Sequence, residues 1–285
     1  MHAAMQPILV RWSRGFVQRA MGRASNNRES KVTLDSKMTS VLVLQSFRDH
    51  GPTSWLARCR KSVQAWCEQQ NYTYQFCGDE LFHRVPAWYM EKVSGRLPIA
   101  ADLARLQWIQ AMLEQDIADV VAWLDADMFV FAPDELSIEL SGSSVFGLER
   151  WLQKRDGKAG YRVHKNVHNA YCAFRKGSSM LPFLIDSILS MVARVDANYL
   201  APQFVGPKLL TSLHNIVGFS VDERFGAISP DLKLAIEDQN VELVSRLGLA
   251  KPMQAANLCA SLHAPEDARM HQFMDLLTNF KSGLT

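Results

Sequence analysis

Two aspartates, Asp125 and Asp127, lie one residue apart directly after the apolar run Val120 to Leu124. The run predicts a buried strand, and ligands of open α/β sheets bind at the carboxyl ends of such strands. Two carboxylates without a neighbouring Lys or Arg repel each other, and a hard divalent cation such as Mg²⁺ or Mn²⁺ relieves that repulsion. A metal there can bridge to a diphosphate and stabilise it as a leaving group. The alternative is an acidic turn or cap, with a helix beginning at residues 133–135.

The segments around these aspartates alternate between strand-like and helix-like patterns. Residues 54–69 carry Trp55, Cys59, Val63 and Trp66 at three- and four-residue spacing, which predicts an amphipathic helix. Strands that alternate with helices imply an α/β fold with a mostly parallel sheet and helices on both faces. The predicted strands are 41–44, 72–77, 119–124, 143–148 and 170–175, and the predicted helices are 54–69, 99–115 and 180–195.

The composition narrows the function classes. With 285 residues and a net charge of +2, the chain shows no general attraction to nucleic acid. Its five cysteines are an odd number without paired spacing, which favours a reducing compartment over a disulfide framework. No run of 18 or more apolar residues is present, so the sequence predicts no membrane-spanning helix. We therefore expect a cytoplasmic protein.

Residues 1–39 differ from the rest of the chain. Up to position 31 they hold six Lys and Arg residues against a single acid, Glu29, with apolar residues interspersed. Such a basic amphipathic segment can lie on an anionic membrane surface, and its composition also resembles a transit peptide. The alternative is a disordered leader before a start at Met38. We expect a flexible basic extension at 1–39, able to touch a membrane peripherally, and a single catalytic domain at 40–285.

The stretch AWLDADMFVF at 122–131 resembles the DXD element of GT-A glycosyltransferases, which use nucleotide-diphosphate sugars. PIAADLARLQWI at 98–109 resembles the upstream S-D-x-x-R helix of that superfamily, with Asp102 and Arg105 in place. Residues three apart are neighbours on one helix face, and in GT-A proteins this face approaches the nucleotide and the donor sugar. The alternative for Asp102 and Arg105 is a plain surface ion pair, which contributes little stability.

Two later stretches agree with the same family in order and spacing. VGPKLLT at 205–211 resembles the G-P-x-x-x-T element of the mannosyltransferase-like family thirty-two group. LHAP at 262–265 places His263 where many GT-A enzymes have a late histidine that completes the metal shell. The alternatives are a helix that begins at Pro207 and a purely structural histidine. The resemblance spans roughly residues 40–265.

The resemblance implies a GT-A fold, which is a Rossmann-like, mostly parallel central sheet with helices on both faces. It implies a hexosyltransferase-like enzyme that uses Mn²⁺ or Mg²⁺, with a role in polysaccharide biosynthesis. A UDP- or GDP-sugar would be the donor, and a hydroxyl of a glycan, lipid or protein would be the acceptor. The alternatives are a nucleotidyltransferase or sugar-nucleotide hydrolase, and a non-catalytic binding protein with a DXD-like turn.

The resemblance also implies residue roles. Phe47 would stack on a base, with core packing as its alternative, and a turn role is the alternative for Asp79. The implied metal ligands are Asp125, Asp127 and His263. The implied catalytic residues are Asp127, Asn169 and Lys208. The implied donor-binding residues are Gln45, Phe47, Arg48, Asp79, Asp102, Arg105, Asp125 and Gly206.

The basic stretch at 150–165 lies just before the HNAYCAF segment that contains Asn169. We expect this stretch to be a mobile loop that orders over a bound donor. A competing interpretation uses His164, His168 and Cys172, whose i, i+4, i+8 spacing would align them on a helix and let them hold Zn²⁺. A strand at 170–175 would separate those three side chains.

Overall fold

The computed structural model describes residues 39–48, 51, 54–201, 203–264 and 267–280. Residues 1–38 of the predicted basic extension lie outside this range, so its proposed membrane contact and the domain boundary stay predictions. Among the helices of the described residues, none has the length and apolar character needed to cross a membrane.

A six-stranded sheet forms the centre of the described fold. Its strands are β1 (Val41–Ser46), β2 (Thr73–Cys77), β3 (Val120–Leu124), β5 (Ser144–Lys154), β6 (Tyr161–Arg175) and β7 (Val221–Asp222). They lie in the order β2-β1-β3-β6-β5-β7. β1 pairs in parallel with β2 and β3, β5 pairs in parallel with β7, and β6 is antiparallel to both β3 and β5. Only β6 therefore runs against the rest, and the predicted mostly parallel sheet is confirmed.

The described elements also include a second, three-stranded sheet, eight α-helices and three short 3-10 helices. The small sheet has the order β4-β9-β8, with β4 at Met128–Val130, β8 at Phe225–Ala227 and β9 at Ala255–Asn257. The helices are α1 (Trp55–Gln69), α2 (Ala87–Val93), α3 (Leu97–Glu114), α4 (Met180–Arg194), α5 (Pro207–Val217), α6 (Pro230–Glu237), α7 (Val241–Ser245) and α8 (Ala268–Phe280). The predicted helices are thus confirmed within two residues at each end, whereas residues 133–135 form a turn and begin no helix.

Both faces of the central sheet are buried. Successive side chains of a strand point to opposite faces, so neighbouring residues of β1 pack in different cores. On β1, Leu42 and Leu44 belong to a core that includes Ile109 of α3 and Ile188 of α4. Val43, between them, belongs to a separate core that includes side chains of α1, β4 and β9. Helices therefore cover one face, and α1 together with the small sheet covers the other.

The predicted mobile loop at 150–165 is instead a long β-hairpin. β5 continues to Lys154 and β6 begins at Tyr161, with eleven cross-strand partners between Ser144 and Lys154. The basic sequence conceals an alternating apolar set. Leu152 is fully buried in a third core, which includes Leu232 of α6 and Phe273 of α8, and Val163 packs against that core. This burial, which the local composition does not indicate, holds the segment as strand.

The zinc interpretation is wrong for the same reason. His164, His168 and Cys172 all lie on β6. A strand rises about 3.3 Å per residue, so members four residues apart are separated by roughly 13 Å. Within the described ranges, no three His, Cys, Asp or Glu residues lie together in a way that fits a metal ion.

Gly147 gives a direct test of the hairpin's packing. The register of β5 shifts between Phe146 and Gly147, and an added Cβ at Gly147 would lie 2.3 Å from two atoms of the His168 ring. That ring is buried and its Nε2 lies 2.9 Å from the Phe225 carbonyl oxygen, so it has little freedom to move. We expect Gly147→Ala to lower the free energy of unfolding by about 1–3 kcal/mol in chemical denaturation.

Gly142→Ala is the matched control for that measurement. Its added Cβ would meet only the Ser220 hydroxyl, at 4.0 Å. It should change the free energy of unfolding by less than about 0.5 kcal/mol. Equal losses in the two variants would contradict the close contact of His168 with Gly147.

Candidate active site

The two aspartates lie where the chain passes from the central sheet to the small one. Asp125 directly follows β3, and its backbone N–H donates to the Ala170 carbonyl at 2.8 Å. Met128, the first residue of β4, donates its N–H to the Asp125 carbonyl at 2.9 Å. Both carboxylates are therefore at the carboxyl end of a buried strand, in a tight connection between two sheets.

The carboxylate of Asp125 is oriented by two donors. Arg105 Nη1 lies 2.9 Å and Trp123 Nε1 lies 2.6 Å from its Oδ1. Its Oδ2 receives no hydrogen bond from the described residues, and its side chain keeps 27% of its surface exposed. One oxygen is thus fixed by the protein while the other faces the open space beside it.

Arg105 connects Asp125 to a second carboxylate. Its Nη2 lies 3.3 Å from Asp102 Oδ1, and its Nη1 also donates to the Asn169 carbonyl at 2.7 Å. Asn169 Nδ2 in turn donates to Asp102 Oδ1 at 2.7 Å. Asp102 and Arg105 are each only 6% exposed, so they form a buried bridge and not a surface ion pair. Burial raises the pKa of Asp102 to about 6, against the opposing effects of Arg105 and Asn169.

Gly206 is packed against this bridge. An added Cβ on Gly206 would lie 2.6 Å from Asp102 Oδ2 and 3.1 Å from its Cγ. The absence of a side chain therefore lets the start of α5 approach α3 closely. The structure places Gly206 against Asp102, and the cavity beside the aspartates is lined from α5 by Pro207, Lys208 and Thr211.

Asp127 is held by the C-terminal part of the chain. Its Oδ1 accepts from Asn257 Nδ2 at 2.8 Å, and its Oδ2 accepts from the Ala260 N–H at 2.8 Å. Among the residues that the structure describes, no Lys or Arg forms an ion pair with it. Burial, and next the charge of Asp125, raise the pKa of Asp127 to about 6. The site therefore has negative charge that its own cations do not balance.

His263 does not join the two aspartates. Its ring packs edge-on against Trp55, with centroids 6.3 Å apart, and no three-residue metal set exists in the described part of the chain. Cys259 has a φ of 56°, and a short 3-10 turn at Ala260–Leu262 follows it. This turn presents the Ala260 N–H to Asp127 and directs His263 to Trp55. The metal role of His263 stays a prediction, and the contacts that the late segment makes with Asp127 come from Asn257 and Ala260.

Two cavities meet at the aspartates. The smaller, of about 390 Å³, extends past the ends of β1 and β2, and the larger, of about 1130 Å³, extends along the β5–β6 hairpin and α5. The residues that line both are Pro98, Arg105, Asp125 and Asp127. A ligand that fills both cavities would thus contact Asp125 and Asp127.

The predicted donor-binding residues after β1 have different positions. Gln45 is buried, donates its amide to the Asp125 carbonyl at 3.0 Å and accepts from the Tyr74 hydroxyl at 2.9 Å, so it supports the site from behind. Phe47 lines the smaller cavity. Arg48 and Asp79 line it too, and they form an exposed ion pair with 3.0 Å between Nη2 and Oδ2.

Several residues of the site were missed from the sequence. Asn257 lies 130 positions from its partner Asp127, and no motif connects the two. The hairpin residues Glu149, Trp151 and Asn166 line the larger cavity. The sequence signal for the β5 residues is that positions 149, 151 and 153 alternate with the leucines at 148 and 152, as on a strand with one buried face.

Comparisons with known proteins identify no family. No protein-family model matches the chain, and no curated protein matches it. Among solved structures it is similar to a glycosyltransferase involved in the glycosylation of the major capsid of PBCV-1, with 12% identity and a TM-score of 0.44 over 83% of this chain and 99% of that one.

Two further solved structures have lower TM-scores. A197 from STIV has 12% identity and a TM-score of 0.28 over 62% of this chain and 78% of that one. A Drosophila beta-1,4-galactosyltransferase 7 mutant, in complex with manganese, UDP-Gal and xylobiose, has 11% identity and a TM-score of 0.28 over 62% of this chain and 74% of that one. At these values the function has to be argued from the chain's own residues.

The buried bridge predicts a large stability effect. Arg105→Met would leave the carboxylates of Asp102 and Asp125 without their shared cation. We expect the free energy of unfolding to fall by about 3–5 kcal/mol, measured by chemical denaturation in metal-free buffer. The matched control is Arg48→Met, which removes the exposed ion pair with Asp79 and should cost less than about 1 kcal/mol. Similar small losses in both variants would refute the bridge.

Proposed function

We propose that the protein is a metal-dependent glycosyltransferase that moves a sugar from a UDP- or GDP-sugar to an acceptor hydroxyl. The observation that carries this proposal is the meeting of two cavities of unequal size at Asp125 and Asp127. A nucleotide-diphosphate sugar has a nucleoside at one end, a sugar at the other and a diphosphate between them. The acid pair lies where that diphosphate would cross from one cavity to the other.

The smaller cavity fits the nucleoside half of such a donor. It opens at the carboxyl ends of β1 and β2, where open α/β sheets bind their ligands. Phe47 supplies an aromatic ring, and Arg48 supplies a guanidinium that pairs with phosphate or with Asp79. A planar base and a negatively charged phosphate match these two side chains.

The residues present fit a hard divalent cation. Asp127 has no cationic partner among the described residues, and Asp125 keeps one carboxylate oxygen without a hydrogen bond from them. Mn²⁺ and Mg²⁺ take carboxylate oxygens together with water and phosphate oxygens, so two aspartates suffice on the protein side. When bound, the metal would stabilise the negative charge of the departing diphosphate.

The larger cavity favours transfer over hydrolysis. Hydrolysis of a sugar nucleotide needs space for one water molecule, whereas the cavity of about 1130 Å³ exceeds what a single donor sugar needs. Lys208 lines it from the first turn of α5, where the helix dipole also favours a negative group. During transfer the bond from the anomeric carbon to the diphosphate oxygen breaks, and its electron pair leaves with the diphosphate. The acceptor oxygen bonds to the anomeric carbon, and the proton of its hydroxyl passes to the departing diphosphate or to water. The element at 205–211 favours a hexosyltransferase of the mannosyltransferase-like kind.

Metal-dependent nucleotide binding is the first experiment. Isothermal titration calorimetry with UDP and with GDP should show binding that requires Mn²⁺ and disappears with EDTA. Asp127→Ala should weaken that binding by about 100-fold or more, because it removes a direct ligand, whose loss costs at least as much as that of an outer partner. The same variant should abolish slow hydrolysis of the preferred sugar nucleotide.

Asp186→Ala is the control, since Asp186 is exposed on α4 and lines neither cavity. It should bind the nucleotide as the unmodified protein does. A thermal denaturation curve for each variant separates loss of binding from loss of folding. If a folded Asp127→Ala protein retains Mn²⁺-dependent affinity, the proposed site is wrong.

A further inference from the structure

One face of the β5–β6 hairpin forms a wall of the larger cavity. The cross-strand pairs are Glu149 with Asn166, Trp151 with His164, and Gln153 with Arg162. Directly opposite residues of a strand pair point to the same face, and so do every second residues along one strand. The members of this face that line the cavity are Glu149, Trp151, Gln153, His164 and Asn166.

From this face we infer that the acceptor is a saccharide that lies along the hairpin, with Trp151 as its stacking surface. The inference rests on the proposed glycosyl transfer and specifies its acceptor class. A pyranose ring has an apolar face of C–H groups and a rim of hydroxyls. A tryptophan ring offers an apolar surface to the first, and flanking polar side chains can hydrogen-bond the second.

The groups on this face are available for such contacts. Trp151 is partly exposed and, within the described part of the chain, has no aromatic or cationic partner over its ring. Asn166 Nδ2 donates to Glu149 Oε1 at 2.9 Å. Glu149 Oε2 and the side-chain Oδ1 of Asn166 remain as acceptors. Sugar hydroxyls are donors, and they complement these acceptors.

The inner end of the face leads to the acid pair. His168 follows in the same register opposite Gly147, lines the cavity and is buried. Its Nε2 bonds the Phe225 carbonyl, and its Nδ1 has no partner. Asp127 lines the same cavity as Glu149 and His168. A saccharide that lies along the hairpin would therefore have its inner end in the cavity that Asp127 lines.

The length and the chemistry of the wall favour an oligosaccharide. The step from Glu149 to Gln153 spans four residues, or roughly 13 Å, which exceeds a single sugar ring. A lipid tail would require a continuous apolar groove. The larger cavity is lined by sixteen polar or charged residues, and its apolar lining residues apart from Trp151 are Pro98, Ala170, Pro207, Ala227, Cys259 and Leu262.

The test compares Trp151→Ala with a tryptophan outside the cavities. Transfer from the preferred sugar nucleotide should be detected on neutral oligosaccharides, and not on hydroxyl-bearing peptides or polyprenol lipids. Trp151→Ala should raise the KM for the best oligosaccharide by about 10-fold or more, with kcat changed less, and Trp151→Phe should fall between. The Kd of the Trp151→Ala protein for UDP or GDP with Mn²⁺ should equal that of the unmodified protein. The control is Trp88→Ala, which removes a 43% exposed tryptophan of α2 that lines neither cavity.

The outcomes separate this inference from the proposed function. Transfer to peptides or lipids only, or an unchanged oligosaccharide KM in Trp151→Ala, would overturn the inference that the hairpin face binds a saccharide acceptor. The proposed glycosyl transfer would remain intact. Absence of any Mn²⁺-dependent nucleotide binding would overturn the proposed function instead. In that case binding to an oligosaccharide array still tests whether the hairpin face binds saccharides. Binding that is lost in Trp151→Ala supports this inference, and absence of binding by the unmodified protein refutes it.

Discussion

The guanidinium of Arg105 is the interaction on which the site depends. It is buried, and it contacts the carboxylates of Asp102 and Asp125 and the backbone carbonyl of Asn169. These partners belong to α3, to the end of β3 and to β6. Buried charges are costly unless they are paired and hydrogen-bonded, so the positions of the three elements are coupled through one side chain. Gly206 adds the start of α5 to the same assembly by packing on Asp102.

Asp127 is arranged in the opposite way. Neutral donors, Asn257 and the Ala260 N–H, fix both of its oxygens, and burial together with Asp125 raises its pKa to about 6. The charge of Asp125 is thus balanced by Arg105, whereas Asp127 is oriented by neutral donors and keeps its charge. The proposed divalent cation would bind beside this uncompensated charge and connect it to the diphosphate of the donor.

The sequence predicted the parts of this arrangement that depend on local pattern. The buried strand before Asp125 and the helix that carries Asp102 and Arg105 follow from periodicity. The contact of Arg105 with Asp125, twenty residues away, depends on how α3 packs against β3 and is not encoded in spacing. The hairpin was missed because exposed charged residues alternate with Leu152 and Val163, whose burial depends on the third core, formed with α6 and α8. The contact of the Ala260 N–H with Asp127 was not predicted, because it depends on the backbone at Cys259, which has a φ of 56°.

The most direct test of the central claim is the anomalous scattering of manganese in crystals grown with Mn²⁺ and UDP or GDP. The account predicts one strong peak within coordination distance, about 2.0–2.6 Å, of carboxylate oxygens from both Asp125 and Asp127. The nucleotide should extend from it into the smaller cavity, over Phe47. A nucleotide bound elsewhere, or a manganese peak that involves neither aspartate, would contradict the account.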